Sequence, residues 1–292
     1  MKLLELIGNT PLVRIQHLNP NPNVIVYGKL EGNNPGGSVK DRAAFGMISE
    51  ALKRGDIKKG DRLVEATSGN TGIALAMIAG QMGLNMTLLM PAKATQERVD
   101  TMRAYGATVI LTDEDKTIEY SREVADQMVA DEGYIMLNQF ANPDNYGMHY
   151  KTTGPEIYRD TDHKVTHFVS SMGTTGTIMG VSRYLKEQNP DIQIIGCQPT
   201  DGSSIPGIRR WSPEFLPKIF EPERVDRIFD VSEEEAIEMT RNLATKEGIF
   251  AGMSSGGAMS AALKLAKELE EGIIVSIVCD RGDRYLSSGL FQ

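Results

Sequence analysis

Lys40 is the residue of this 292-residue chain best placed for covalent chemistry. It lies in Gly37-Ser38-Val39-Lys40-Asp41-Arg42, directly after the loop Gly32-Asn33-Asn34-Pro35-Gly36. Before the loop, Val24-Ile25-Val26-Tyr27-Gly28-Lys29-Leu30 is mostly β-branched or aromatic and predicts a strand; after it, Ala43, Ala44, Met47, Ile48, Ala51 and Leu52 recur at helical spacing. Ser38 then reads as the N-cap, with Lys40 in the first turn. The partial positive charge of a helix N-terminus makes an ammonium group give up its proton more readily, so the free amine can act as an imine-forming nucleophile. An ordinary capped and charged helix start would contain the same residues.

Three further clusters set Lys40 apart from that plainer reading: Thr67-Ser68-Gly69-Asn70-Thr71-Gly72, Ser170-Ser171-Met172-Gly173-Thr174-Thr175-Gly176-Thr177 and Gly252-Met253-Ser254-Ser255-Gly256-Gly257. Each follows an apolar strand-like run or precedes a helical pattern. Glycine lets backbone N–H groups approach an anion, and the following helix end adds its dipole. Turns need glycine as well, so one such cluster would mean little. Three clusters rich in Ser and Thr, with a junction lysine, predict a site assembled from several loops.

The elements that must position these loops alternate β and α. Strand-like runs occur at 62–66, 86–90, 108–111, 167–170, 193–197 and 273–278, with helical patterns between most of them. That order predicts parallel sheets covered by helices. Pro91 closes one strand, Gly106 precedes another, and Ser232 with Glu235 forms a capping-box pattern. The stretch from Asp201 to Pro222 is rich in Pro, Gly and Arg and predicts a long loop, a length at which function is common.

Together the clusters resemble the fold-type II pyridoxal 5′-phosphate enzymes, and among them the O-acetylserine sulfhydrylase (cysteine synthase) family. The likeness extends through Ile7-Gly8-Asn9-Thr10-Pro11-Leu12-Val13, Glu31-Gly32-Asn33-Asn34-Pro35, Asn138-Gln139-Phe140-Ala141-Asn142-Pro143 and Thr152-Thr153-Gly154-Pro155-Glu156-Ile157, covering essentially the whole chain. Three strings, Gly173 to Thr177, Gly202 to Trp211 and Cys279 to Leu286, resemble the B type rather than the A type. The resemblance implies an α/β fold of the tryptophan synthase β-like kind, with two three-layer αβα domains and mostly parallel sheets. Residues 1–34 with 146–292 would form the larger, cofactor-anchoring domain, and 35–145 a smaller mobile one.

The resemblance also implies roles. Lys40 would attach the cofactor and act as general base on the substrate Cα proton. Gly173, Thr174, Thr175, Gly176 and Thr177 would hold the cofactor phosphate, Asn70 its 3′-oxygen and Ser254 its pyridine nitrogen. A neutral hydroxyl at that nitrogen favours loss of a leaving group from Cβ over transamination. Thr67, Ser68, Gly69 and Thr71, joined by Gln139, would bind the substrate α-carboxylate. Arg209 and Arg210 would attract an anionic second substrate, since the guanidinium fork suits multi-oxygen anions. As solvated charges on a lid they would do no such thing. Cys279, at a strand end, would line the pocket. The reaction implied is β-replacement on O-acetyl-L-serine, with sulfide giving L-cysteine or thiosulfate giving S-sulfo-L-cysteine. A cystathionine synthase or a serine/threonine dehydratase is the nearest alternative, and a binding module that has lost turnover is the alternative from another class.

Composition agrees. Acidic residues outnumber basic ones 39 to 31, a net charge of −8, which argues against nucleic acid or an anionic membrane surface as partner. Two cysteines, Cys197 and Cys279, form no metal-like spacing and suit a reducing compartment, and the four histidines show no metal spacing either. Glu5 interrupts the start before a secretory apolar segment forms, so a cytoplasmic protein is expected. Glu31 and Asp41 read as partners of Arg42 or Lys29. The family implies a homodimer, and the B type implies weak or no docking of a serine acetyltransferase.

Overall fold

The computed structural model describes residues 1–67, 69–92, 95–113, 115, 116 and 118–292. In chain order, β1 (Leu12–Arg14) and β2 (Val24–Leu30) precede α1 (Lys40–Arg54). An alternating run follows: β3 (Arg62–Ala66), α2 (Asn70–Met82), β4 (Asn85–Pro91), α3 (Gln96–Ala104), β5 (Thr108–Thr112) and α4 (Ile118–Glu132). Helices α5 (Pro143–Lys151) and α6 (Thr153–Asp160) then lead to β6 (His167–Ser171), α7 (Gly176–Gln188), β7 (Gln193–Pro199), β8 (Arg227–Val231), α8 (Glu233–Glu247), α9 (Met253–Glu268) and β9 (Gly272–Val278).

The strands form two sheets, one in the order β1-β2-β9-β6-β7-β8 and one in the order β3-β4-β5. Every pairing is parallel except β1 against β2. The expected α/β class with mostly parallel sheets is therefore what the chain adopts. Period-2 alternation divides the residues of the large sheet between two cores: Val169 and Ile195 join one, Phe168 and Ile194 the other. The small sheet divides likewise, with Leu63 and Leu88 on the α1 and α2 side and Val64 and Leu89 against Ala125 and Met128 of α4. Both sheets are thus covered on two faces, as parallel strands require.

Two strands fall outside the expected set, and both are sheet edges. β1 is three residues long, and β8 is largely exposed with Arg227 and Asp230 in it, so neither carries the apolar run that marks a buried parallel strand. The capping box at α8 is present, Ser232 Oγ accepting from Glu235 N. At α1 the cap lies one residue later than expected, at Val39, and Ser38 Oγ accepts the Lys40 backbone N–H instead.

Helix α5 fixes the relation between α1 and α7. A Cβ at Gly46 of α1 would lie 2.6 Å from Asp144 O, and one at Gly180 of α7 would lie 2.2 Å from Tyr146 O, so both helices approach the backbone of α5 where only glycine fits. The N-termini of α1 and α7 carry Lys40 and the threonine-rich loop.

A fully buried ion network anchors the start of α1. The Arg42 guanidinium donates to both carboxylate oxygens of Glu31 (2.7 and 2.8 Å) and both of Glu156 (2.7 Å each). Lys29, also fully buried, pairs with Glu156 at 2.8 Å and donates to Thr10 O. Glu31 is therefore Arg42's partner as expected. Asp41 is not: its carboxylate accepts from Gly36 N, and burial pushes it up to about 7. Lys29 likewise pairs with α6 rather than with Glu31 or Asp41.

Removing Arg42 would leave the buried Glu31 carboxylate without its ion-pair partner and Glu156 with Lys29 alone, so Arg42→Ala is expected to cost about 3–5 kcal/mol in urea unfolding. Glu156 is held down to about 2 against an ordinary 4.5, by Arg42 and Lys29 outweighing burial, and Glu31 is lowered as well. A depressed carboxyl contributes stability that is complete above its unfolded pKa and lost as pH falls through the folded one. Wild-type stability should accordingly fall between about pH 4.5 and pH 2, and Arg42→Ala should flatten that dependence.

Candidate active site

A cleft of about 980 Å³ opens between the two sheets. Lys40, Thr67, Gly69, Asn70, Thr71, Gln139, Gly173, Thr174, Arg209 and Arg210 all line it. Residues 40, 70 and 173 thus meet although they lie in three parts of the chain, each at the carboxyl end of a strand or at a helix start, where open α/β sheets bind ligands.

Lys40 opens α1, and Val39 N donates to Cys279 O at 2.8 Å, tying this turn to the end of β9. Among the described residues the Lys40 amine has no hydrogen bond or ion pair. Burial lowers its pKa below the usual lysine value, while Cys279 and Asp280 act in the opposite direction. The result is an amine more readily deprotonated than a surface lysine.

Asn70 begins α2. Its Nδ2 donates to Asp280 Oδ2 at 2.7 Å, and Arg284 Nη1 donates to its Oδ1. Asp280 also accepts from the Tyr285 hydroxyl (2.6 Å) and from Gly252 N (3.2 Å), the N-cap of the helix that carries Ser254. One buried carboxylate therefore orients both Asn70 and the start of α9.

A second hydrogen-bond chain crosses the cleft. Thr71 Oγ1 donates to Gln139 Oε1 at 2.9 Å, Asn145 Nδ2 donates to Gln139 O at 2.8 Å and to Thr174 Oγ1 at 3.2 Å, and Gly176 N donates to Thr174 Oγ1 at 3.3 Å. Ser68, expected in the same turn as Thr67 and Thr71, lies outside the described residues.

The threonine loop fits a phosphate group. Thr175 caps α7 in the left-handed conformation (φ 68°), and its buried Oγ1 has no hydrogen-bond partner among the described residues. The first N–H groups of α7 have no partner within the helix. A Cβ at Gly173 would lie 2.6 Å from Gly207 O and one at Gly176 2.0 Å from Asn145 Oδ1, so a side chain at either glycine would close the cradle. Thr177 Oγ1 lies 3.4 Å from His149 Nε2, and burial brings that imidazole down to about 3, so it stays neutral beside the loop.

Three expected residues sit differently from the rest. Ser254 is buried behind the cleft wall, where a Cβ at Gly207 would meet it at 3.3 Å, and its carbonyl accepts from Ser171 Oγ at 2.7 Å. Cys279, expected on the pocket lining, is packed beneath it with Sγ 3.9 Å from Ser171 Oγ; burial pushes the thiol up to about 11. Arg210 lines the rim, yet its guanidinium is taken up by Asp230 (2.6 Å), Asp201 (3.2 Å) and Pro199 O (2.8 Å). Of the two adjacent arginines only Arg209 keeps its guanidinium for the cleft.

Sequence reasoning passed over Asn145, Asp280, Arg284 and Tyr285. Asp280, Arg284 and Tyr285 stand in a string used only to tell B type from A type, and Asn145 lies in a helix with no distinguishing pattern. An acid two residues beyond the last parallel strand was the available signal for Asp280.

Residues 3–280 match the family model described as pyridoxal-phosphate dependent enzyme. The chain is 57% identical over 290 residues to cysteine synthase B of Pseudomonas aeruginosa, covering 99% of this chain and 97% of the relative. It is 56% identical to cysteine synthase B of Escherichia coli, covering 99% and 95%. Among solved structures, cysteine synthase from Entamoeba histolytica superposes with a TM-score of 0.94 at 38% identity, covering 99% of this chain and 90% of that one. An O-ureido-L-serine synthase superposes with a TM-score of 0.93 at 36% identity, covering 99% and 94%.

Gly176→Ala would push Asn145 away from both Thr174 and Gln139. Retention of pyridoxal 5′-phosphate in equilibrium dialysis should weaken about tenfold or more, the loss of one or two charge-assisted contacts, while circular dichroism stays that of the wild type.

Proposed function

This chain belongs to the pyridoxal-phosphate dependent enzymes, and on that premise we propose that it catalyses β-replacement on O-acetyl-L-serine. Acetate leaves Cβ, and sulfide or thiosulfate takes its place to give L-cysteine or S-sulfo-L-cysteine. The observation that carries this reading is the half-buried Lys40 amine, which has no hydrogen bond or ion pair among the described residues, in one cleft with Thr67, Gly69, Asn70, Thr71 and the threonine loop. The cysteine synthase B relatives support the choice of substrates.

Gly173 to Thr177 would hold the cofactor phosphate, Asn70 its 3′-oxygen, Ser254 its ring nitrogen and Lys40 its aldehyde carbon. When bound, the cofactor supplies an electron-withdrawing ring that acidifies the substrate Cα proton. Lys40 Nζ takes that proton, a role suited to an amine whose pKa burial has lowered. The N–H groups and hydroxyls of the Thr67–Thr71 turn orient the α-carboxylate, with Gln139 held in place by Thr71 and Asn145. Residues 35–145 act as a smaller domain that closes over the substrate, and the family resemblance supports a cytoplasmic homodimer. No helix among the described residues is long and apolar enough to cross a membrane.

The visible absorption spectrum tests the reaction. Addition of O-acetyl-L-serine to the holoenzyme should shift the cofactor band, and sulfide or thiosulfate should restore it; a band indifferent to O-acetyl-L-serine would contradict the assignment. Lys40→Ala should lower kcat by about a hundredfold or more, the scale of general-base loss.

A further inference from the structure

We infer that Arg122, on α4, is the second arm of an anion clamp that faces Arg209 across the cleft and selects a sulfur oxyanion as second substrate. This rests on the β-replacement reaction proposed above and adds to it a specificity-determining residue on the opposite wall from the Arg209 loop.

Four side chains build the rim. The Arg122 guanidinium lies 4.4 Å from the Phe140 ring centroid, Phe140 meets Trp211 edge to face at 5.6 Å, and the Arg209 guanidinium lies 5.4 Å from the Trp211 ring. Trp211 Nε1 donates to Gly173 O at 2.8 Å, which fastens this row to the threonine loop. Stacking engages the face of a guanidinium and leaves its N–H edge for a planar or multi-oxygen anion. Among the described residues neither Arg122 nor Arg209 side chain has a hydrogen bond or ion pair. Both line the cleft, and they are close enough for Arg122 to oppose the charge on Arg209.

Arg122 and Arg209 line the cleft together with Lys40 and with Glu119, whose charge partly offsets that of Arg209, while Arg210 and Asp201 are paired with each other. Glu65, whose carboxyl feels the Arg122 charge, is pushed up to about 8 by burial and is therefore neutral near pH 7. A chain of net charge −8 repels dianions on the whole, so a positive rim is what admits one. Sulfide has no oxygen acceptors for the forks to grip. Thiosulfate has three, at a charge of −2.

The test compares kcat/KM for thiosulfate and for sulfide, with saturating O-acetyl-L-serine, in wild type, Arg122→Gln and Arg122→Lys at low and high ionic strength. Arg122→Gln should lower the thiosulfate value at least about tenfold more than the sulfide value, as loss of a charge-assisted contact does. Its thiosulfate rate should also depend less on salt. Arg122→Lys, with charge but no fork, should fall between the two. If Arg122→Gln lowers both donors equally, or neither, the inference is overturned while the reaction stands. Absence of turnover by wild type with either donor would overturn the reaction itself. Sulfide turnover in Arg122→Gln also reports that the variant is folded.

Discussion

The buried guanidinium of Arg42 holds the site together. It lies two residues beyond Lys40, and its four contacts to Glu31 and Glu156 join the end of β2, the first turn of α1 and helix α6 at a single point. A charge so placed cannot shift without leaving an opposite charge unpaired away from water, which is why such networks fix geometry even where they add little net stability. Lys40 needs that fixity. A half-buried amine with no hydrogen bond or ion pair among the described residues would otherwise swing toward a carboxylate, and the charge of Asp280 is near enough to act on it.

From that anchor the cleft is assembled by backbone contact and by two polar chains. Helix α5 spaces α1 from α7 through Gly46 and Gly180, so the helix starts bearing Lys40 and the threonine loop keep their distance. Asp280 orients Asn70 on one side, and Gln139 with Asn145 joins the Thr71 turn to Thr174 on the other. Both chains run between residues far apart in sequence. Each cleft element consequently depends on another that the local sequence does not contain.

That dependence sets how much could be read in advance. The parallel α/β class followed from apolar runs alternating with helical patterns, and the two strands passed over, β1 and β8, are edges whose half-exposed residues lack the pattern. Lys40, Asn70, Thr174 and Gln139 announced themselves because glycine-rich turns at strand ends and family strings mark them. Asn145 and Arg122 did not, since each stands on a helix whose spacing says only that it is amphipathic, and their importance arises from what lies across the cleft. Arg210 shows the opposite case: as a residue type it suits an anion, yet Asp230 on the neighbouring edge strand claims it. Asp41 was misread for a similar reason, because a charge adjacent to Arg42 in sequence points to a different surface of α1.

The order of the large sheet bears on how the chain matures during synthesis. β2 is completed by residue 30 but pairs with β9, which ends at residue 278, and β9 also pairs with β6. The three-stranded sheet, by contrast, draws only on residues 62–112. A nascent chain can therefore assemble the small sheet early, while β2, with only the three-residue β1 beside it, waits for its β9 partner until almost all of the polypeptide has left the ribosome. Because the Lys40 turn is bonded to the end of β9 at Cys279, the Lys40 amine is fixed in the cleft only once β9 has been made, among the last events of folding.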